Sequence, residues 1–180
     1  MRPWVTIMAG FWIRPERLVL ALCFATAAIL ADQFTKLVIL EFVMQPPRII
    51  PVTSFLNLTL SFNSGISFGL FGDFFQDRTR WLTAVTALIA LGLMIWAAAA
   101  GDRREASALG LIAGGATGNI IDRIERGAVT DFIDIHIAGW HWPASNLADV
   151  SVAGGSILLI GAVLLPVSAT HDRVERDDGR

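Results

Sequence analysis

The chain has 180 residues, of which 54% are hydrophobic and 17% charged, with a formal net charge of −2; an ordinary globular domain is about 45–50% apolar and about 25% charged. No basic patch with interleaved aromatics occurs, which excludes a nucleic-acid partner, and the apolar excess points to a membrane protein. The single cysteine, Cys23, excludes a disulfide framework and a Cys-cluster metal site, and inside an apolar run it reads as packing.

Residues 1–16 carry a short apolar patch, Trp4 to Ile13, closed by Arg14, Pro15 and Glu16. It is too short to span a bilayer, so an interfacial or disordered lead is expected. The first span covers roughly 17–40. Its Arg14 to Ala27 portion also has the pattern of a cleavable signal peptide, but the apolar run continues past Ala27. Near the far end, Asp32 and Lys36 stand one helical turn apart in Asp32-Gln33-Phe34-Thr35-Lys36. An i,i+4 ion pair with Lys36 snorkelling to the interface accounts for the lysine. Asp32 is too short to snorkel, and both a site role and a supporting role stay open for it.

After Pro46, Pro47 and Pro51, Leu56, Leu58, Leu60 and Phe62 alternate with Asn57, Thr59, Ser61 and Asn63, the pattern of a half-buried strand. Ser64-Gly65 supplies a turn, and Ile66 to Gly69 can return as a second short strand, making a hairpin or cradle within residues 41–80. Phe71, Phe74 and Phe75 with Asp73 and Asp77 suggest a segment lying in the headgroup plane. Asn63 by itself is explained by turn chemistry.

The second span, about 81–100, has only Thr83 and Thr86 as polar features and reads as wall. A tight turn at Gly101 to Glu105 makes it an antiparallel neighbour of the third span, about 105–124. There Gly110, Gly114 and Gly118 recur every four residues, which permits close helix packing. Asn119, Asp122 and Arg123 follow on one face, and that face cannot point at lipid tails. Arg123 is expected to pair with a carboxylate or a backbone carbonyl.

Beyond Gly127 the period changes to two within the loop 125–146. Val129, Asp131, Ile133, Ile135 and Ile137 share one face, on which Asp131 is the odd member; Asp134 and His136 fit a solvated face. His136 and His141 read as surface residues rather than metal ligands. Trp140, His141, Trp142 and Pro143 resemble an aromatic belt. The last span, about 147–167, opens at Asn146-Leu147-Ala148-Asp149, where Asn146 is a good N-cap and Asp149 completes a capping box. A polar tail, 168–180, follows. The fold class is therefore a mainly α membrane protein of four transmembrane helices, with a small extracytoplasmic β-hairpin or cradle and an interfacial segment. The weak excess of Lys and Arg at the N-terminus, the Gly101–Glu105 turn and the tail places both termini in the cytoplasm.

Asp131 and Asp149 come from different elements and arrive at one membrane face. Two such carboxylates cannot both ionise cheaply when close, and a pair sharing one proton can activate water without Ser, Cys or metal. No His-Glu-x-x-His run and no Gly-x-Ser-x-Gly elbow is present. An ion or proton pathway built from Asp32, Asp122, Asp131 and Asp149 is the alternative, and a membrane scaffold is a third.

Four blocks, Asp32 to Lys36, Asn63 to Phe68, Gly118 to Arg123 with Gly127 and Asp131-Phe132-Ile133, and Asn146 to Asp149, resemble the bacterial lipoprotein signal peptidase family, or signal peptidase II, in the family's order. The resemblance implies an inner-membrane aspartic endopeptidase that cuts prolipoproteins just before a cysteine carrying diacylglyceryl. It implies Asp131 and Asp149 as the catalytic pair and Asp32, Lys36, Asn63, Gly65, Asn119, Asp122, Arg123 and Asn146 as substrate-binding or supporting residues. It further implies a site near the periplasmic face, globomycin-type peptide inhibitors, contact with membrane lipids, and no metal or cofactor. Ser67 stands where the family commonly has Ala, and Ser145 where an aromatic often precedes the Asn.

Overall fold

The computed structural model describes residues 13–64 and 78–165. Helix α1, Pro15–Val38, starts with proline in its first turn, where a missing N–H costs nothing, and runs on into a π-helical turn, Ile39–Val43. Helix α2 is Arg78–Ala99 and α3 is Arg103–Arg126. Two short connections hold this end of the bundle. Asp102 caps α3 by accepting from the Glu105 N–H at 2.8 Å, and Glu105 Oε2 returns to the Gly101 N–H at 2.6 Å. Arg14 donates to the Ala100 and Gly101 carbonyls, each at 3.0 Å, so the start of α1 is tied to the α2–α3 turn. Helix α4, Leu147–Leu164, completes the bundle.

Three helices are long and apolar enough to cross a membrane: Pro15–Val43, Thr79–Ala99 and Leu147–Leu164. Helix α3 equals α1 in its 24 residues but is too polar to be recognised as a span by the same measure. Its environment explains why it can be so, because it packs against all three other helices. Small residues make that contact close. A Cβ on Gly114 would lie 2.5 Å from the Ala25 carbonyl oxygen and 2.7 Å from its Cα, so α1 and α3 touch backbone to backbone. Large apolar side chains such as Leu30, Phe34, Leu88, Ile89, Ile157 and Val163 point outward, as lipid-facing surfaces require. In α2, Thr83 and Thr86 donate to the carbonyls of Thr79 and Leu82, which satisfies both hydroxyls within the helix. Cys23 departs from the packing expected of it, since it is exposed on the outer side of α1.

A four-stranded antiparallel sheet, ordered β1-β2-β3-β4, covers the other end. Its strands are β1 Ile50–Pro51, β2 Leu56–Asn63, β3 Val129–Ile137 and β4 Trp140–His141. Strand β2 pairs with β3, more than sixty residues away, and with β1. The return strand expected at Ile66 to Gly69, the interfacial segment at Phe71 to Phe75, the N-terminal lead before Ile13 and the tail 168–180 lie outside the described residues. Helix α3 stops at Gly127, whose φ of 75° is left-handed and whose N–H returns to the Arg123 carbonyl. The chain can then reverse directly into β3.

The Gly114 contact has a measurable consequence. Gly114→Ala forces two backbones apart and is expected to destabilise the protein by ~1–3 kcal/mol, whereas at Gly161 an added Cβ meets nothing within 4 Å. Thermal unfolding in detergent should show a clear loss for Gly114→Ala and none for Gly161→Ala; equal midpoints would contradict backbone contact.

Candidate active site

The polar interior begins with Lys36. Its ammonium is buried, 2.7 Å from Asp32 Oδ2 and 3.0 Å from Asp122 Oδ2. The i,i+4 pair with Asp32 is present, but Lys36 does not snorkel. Two carboxylates and an amide compensate its desolvation inside the bundle, which water at the interface would otherwise do. Asp32 Oδ1 accepts the backbone N–H of Ala148 at 2.9 Å, reaching from α1 to the first turn of α4. Asp122 Oδ2 accepts the N–H of Thr130 at 2.8 Å and its Oδ1 accepts from Arg126 at 3.0 Å. Two of these supports were missed in the sequence: Gln33, which donates to Asp32, Asp122 and the Gly118 carbonyl, and Arg126. Gln33 is adjacent to Asp32, and Arg126 stands at i+4 from Asp122, the spacing that would have found it.

Asp149 occupies the third position of α4, where the expected capping box is formed. Asn146 Oδ1 accepts the Asp149 N–H at 3.0 Å, and Asp149 Oδ2 accepts the Asn146 N–H at 3.1 Å. The same Asn146 side chain donates to Asp131 Oδ1 at 2.7 Å and to Asn119 Oδ1 at 3.1 Å. Asn119 Nδ2 donates to Asp149 Oδ1 at 2.9 Å. Asn146 thus caps a helix and bridges both aspartates at once.

Asp131 reaches this place through the sheet. Leu58 lies opposite Ile133, but Ser61 lies opposite Asp131, so β2 carries a bulge between them. Residues directly opposite share a face, and one inserted residue reverses the faces of everything beyond it. Ser61 and Asn63 therefore join the face of Leu56, Leu58 and Asp131, where strict alternation had put them on the opposite one. Asn63 hydrogen-bonds the Asp131 carboxyl. On the other side of β3, the N–H groups of Phe132 and Ile133 donate to the Ser145 carbonyl at 2.9 and 2.8 Å, which holds Asn146 beside Asp131. A cavity of about 280 Å³ opens over Asp131, lined by Ser61, Phe62, Asn63, Ser64, Pro143 and Ala144.

Burial raises the pKa of Asp131 to about 6, and the negative charge of Asp149 adds to the rise. Hydrogen bonds from Asn63 and Asn146 oppose it. Arg123 stands half-buried with its charge felt by Asp131 and Asp149; its guanidinium approaches the Asn119 carbonyl at 3.5 Å. The structure thus draws together Asp32, Lys36, Asn63, Asn119, Asp122, Arg123, Asp131, Asn146 and Asp149, while Gly65 lies outside the described residues. Among the described residues no group of three or more His, Cys, Asp or Glu is arranged to hold a metal ion.

Strand β3 also corrects the expected solvated face. Asp134 is buried, accepting from Asn57 Nδ2 at 2.9 Å and lying 2.7 Å from His141 Nδ1. His136 is partly buried and stacks on His141, centroids 5.1 Å apart. Ile135 and Ile137 are exposed instead, beside the exposed Trp140 and Trp142, whose rings meet edge-on at 5.4 Å. The period of two was right, but both faces are buried over residues 129–132, and beyond Ile133 the apolar face is the outer one, because in a membrane protein an outward apolar face has lipid to meet. The Asn57 bond, and after it His141, hold the Asp134 carboxyl below its ordinary range.

Apolar helices, an antiparallel sheet across one end and two aspartates bridged by Asn146 at that end describe a membrane protein with ionisable groups in its polar interior. Residues 24–165 match the family model for signal peptidase (SPase) II, and the chain belongs to that family of peptidases. A lipoprotein signal peptidase of Methylobacterium sp. (strain 4-46) is 41% identical over 165 residues, 90% of this chain and 98% of the relative. One from Janthinobacterium sp. (strain Marseille) is 41% identical over 142 residues, 76% and 82% of the two chains. A solved bacterial membrane enzyme is 30% identical with a TM-score of 0.68, over 85% of this chain and 92% of its own. Another is 29% identical with a TM-score of 0.69, over 89% and 99%. None of these relatives supports the transport reading.

Two pH effects follow. A raised Asp131 pKa means that the folded state holds the proton more tightly than the unfolded chain, whose carboxyl ionises near about 3.9. Its contribution to stability is full below that value and is lost as pH rises through about 6. Asp131→Asn cannot ionise, so its unfolding midpoint should gain on the wild type between pH ~4 and ~7 and level off above; a pH-independent gap would rule out burial as the cause. Asp134 has the opposite sign. Its stabilisation is full above the ordinary carboxylate range and lost as pH falls through the lowered folded value. Asn57→Ala should therefore blunt the loss of stability below about pH 4, read as a shallower acid limb in the same melts.

Proposed function

We propose that this chain removes signal peptides from diacylglyceryl-modified prolipoproteins, with Asp131 and Asp149 activating the water that cuts before the lipid-bearing cysteine. The observation that carries the reading is the bridge of Asn146 between the two aspartates, one of which, Asp131, lines an open cavity. Asp131, protonated to about pH 6, is the acid, and Asp149 is the base. Asp149 takes a proton from water as the hydroxyl oxygen bonds to the scissile carbonyl carbon, and Asp131 gives its proton to the carbonyl oxygen. The gem-diol then collapses. Asp149 passes its proton to the leaving nitrogen of the cysteine as the C–N bond breaks, and Asp131 recovers one from a hydroxyl.

Helix α3 is proposed as the fourth span, since every side it buries is covered by another helix. The end of the bundle where Arg14 meets the α2–α3 turn, with Arg103 and Arg104, is then cytoplasmic by the positive-inside rule. The sheet and the aspartates would face the periplasm of a bacterial inner membrane. Exposed Phe55, Phe62, Ile135, Ile137, Trp140 and Trp142 give the sheet apolar surface suited to bilayer lipids and the acyl chains of the substrate. Gly65 and Asn63 would meet the peptide, and globomycin-type peptides would compete for the same cavity.

The test is cleavage of a diacylglyceryl-modified prolipoprotein by purified wild type, Asp131→Asn and Asp149→Asn in detergent. Wild-type cleavage with loss of about 10²- to 10⁴-fold in each variant is expected, since each removes a proton-transfer group. Cleavage surviving in either folded variant would refute the pair; an inactive wild type would refute the substrate.

A further inference from the structure

We infer that Lys36 is a positioning residue for the aspartate pair, acting through the side-chain amide of Asn119, whose orientation it sets. The inference rests on the reading of Asp131 and Asp149 as the acid–base pair. An amide has an oxygen that only accepts and a nitrogen that only donates, and a half-turn exchanges them. An ammonium has donors only, so the Asn119 oxygen must face it, and Lys36 Nζ lies 3.2 Å from Asn119 Oδ1. That leaves Asn119 Nδ2 pointing at Asp149 Oδ1, at 2.9 Å.

The second amide follows from the first. Asn119 Oδ1 also accepts from Asn146 Nδ2, whose remaining hydrogen goes to Asp131 Oδ1, while Asn146 Oδ1 accepts the Asp149 N–H. Turning either amide would set an oxygen against a carboxylate oxygen at hydrogen-bond distance, with the low-dielectric interior strengthening the repulsion. Lys36 has no freedom to move away, because Asp32 and Asp122 grip it from α1 and α3. A cation that touches neither aspartate therefore decides that both receive N–H donors. The charged groups felt by Asp131 are Asp149 of α4, Lys36 of α1 and Arg123 of α3, and its hydrogen-bond partners are Asn63 of β2 and Asn146.

Two variants test this in the full-length enzyme with a diacylglyceryl-modified prolipoprotein. Asn119→Asp keeps an oxygen toward Lys36 and Asn146 and replaces the donor to Asp149 with an acceptor. It should lose stability to the repulsion between those acceptors while remaining folded with an unchanged KM, lose kcat on the order of 10- to 100-fold, the loss typical when a residue that orients an active-site group is removed, and shift the acid limb of kcat to higher pH. Lys36→Met combined with Asp122→Asn preserves net charge and the acceptor for Thr130. Compared with Asp122→Asn alone, it should show a further loss and the same shift. Wild-type kcat and acid limb in Asn119→Asp, or equality of the double variant with Asp122→Asn, would overturn the inference, as would lost activity with an unmoved acid limb. Asp131→Asn and Asp149→Asn run alongside separate the two readings. Activity in them overturns the pair itself, whereas their inactivity beside a normal Asn119→Asp overturns only the role of Lys36.

Discussion

A lysine ammonium inside a helical bundle must be surrounded by acceptors, because water cannot reach it and its charge cannot be left bare. Lys36 meets that demand with Asp32, Asp122 and Asn119, and each of these is thereby held in one place. Breaking such a buried cluster by removing one partner typically costs about 3–5 kcal/mol, so it tolerates little rearrangement. Its outer bonds carry the constraint further. Asp32 takes the Ala148 N–H and so docks the start of α4; Asp122 takes the Thr130 N–H and so docks the start of β3. The two elements that bear Asp149 and Asp131 are both anchored to this one ion cluster.

Close helix packing is what lets these short side chains meet. Asp32 can span from α1 to α4 only because Gly118 of α3 leaves room: a Cβ there would sit 2.6 Å from Asp32 Oδ2. The small residues spaced along α3, Gly110, Gly114 and Gly118, are thus part of the same device as the charges that follow them. The helix with the most polar composition is also the one shielded by the other three, and the helices with the most apolar composition present their bulk outward. Charge inside and Leu, Ile and Phe outside is the arrangement a bilayer solvent selects.

The sheet supplies what the bundle cannot. A helix can place Asp149 at its first turn, but a second carboxylate beside it has to come from a segment that crosses the end of the bundle. Strand β3 does this between β2 and the Ser145 backbone, and the bulge in β2 brings Asn63 to the same carboxyl. The site has a rigid polar floor and an open apolar rim. The relatives of this chain are named lipoprotein signal peptidases, and the proposed substrate brings both a peptide for the polar floor and acyl chains for the apolar rim.

Much of this was legible in one dimension. The apolar runs marked helices, Gly127 marked the end of α3, the period of two marked β2 and β3, and Asn146 with Asp149 marked a capping box, since each depends on neighbours a few residues apart. The motif blocks named the family and the polar residues of the site. Other features depend on separations that local periodicity does not encode. Lys36 is buried rather than snorkelling because Asp122, eighty-six positions later, waits for it. Strand β2 pairs with β3 and slips by one residue, which turns Asn63 toward Asp131, and Asp134 lies inside while Ile135 lies outside. Local sequence therefore determined which elements form and which chemistry they carry, because propensity and patterning act over a turn or a strand. Tertiary structure alone decided which partner each buried polar group meets and which face of β3 lies inside beyond Ile133, because those are set by the element across the gap.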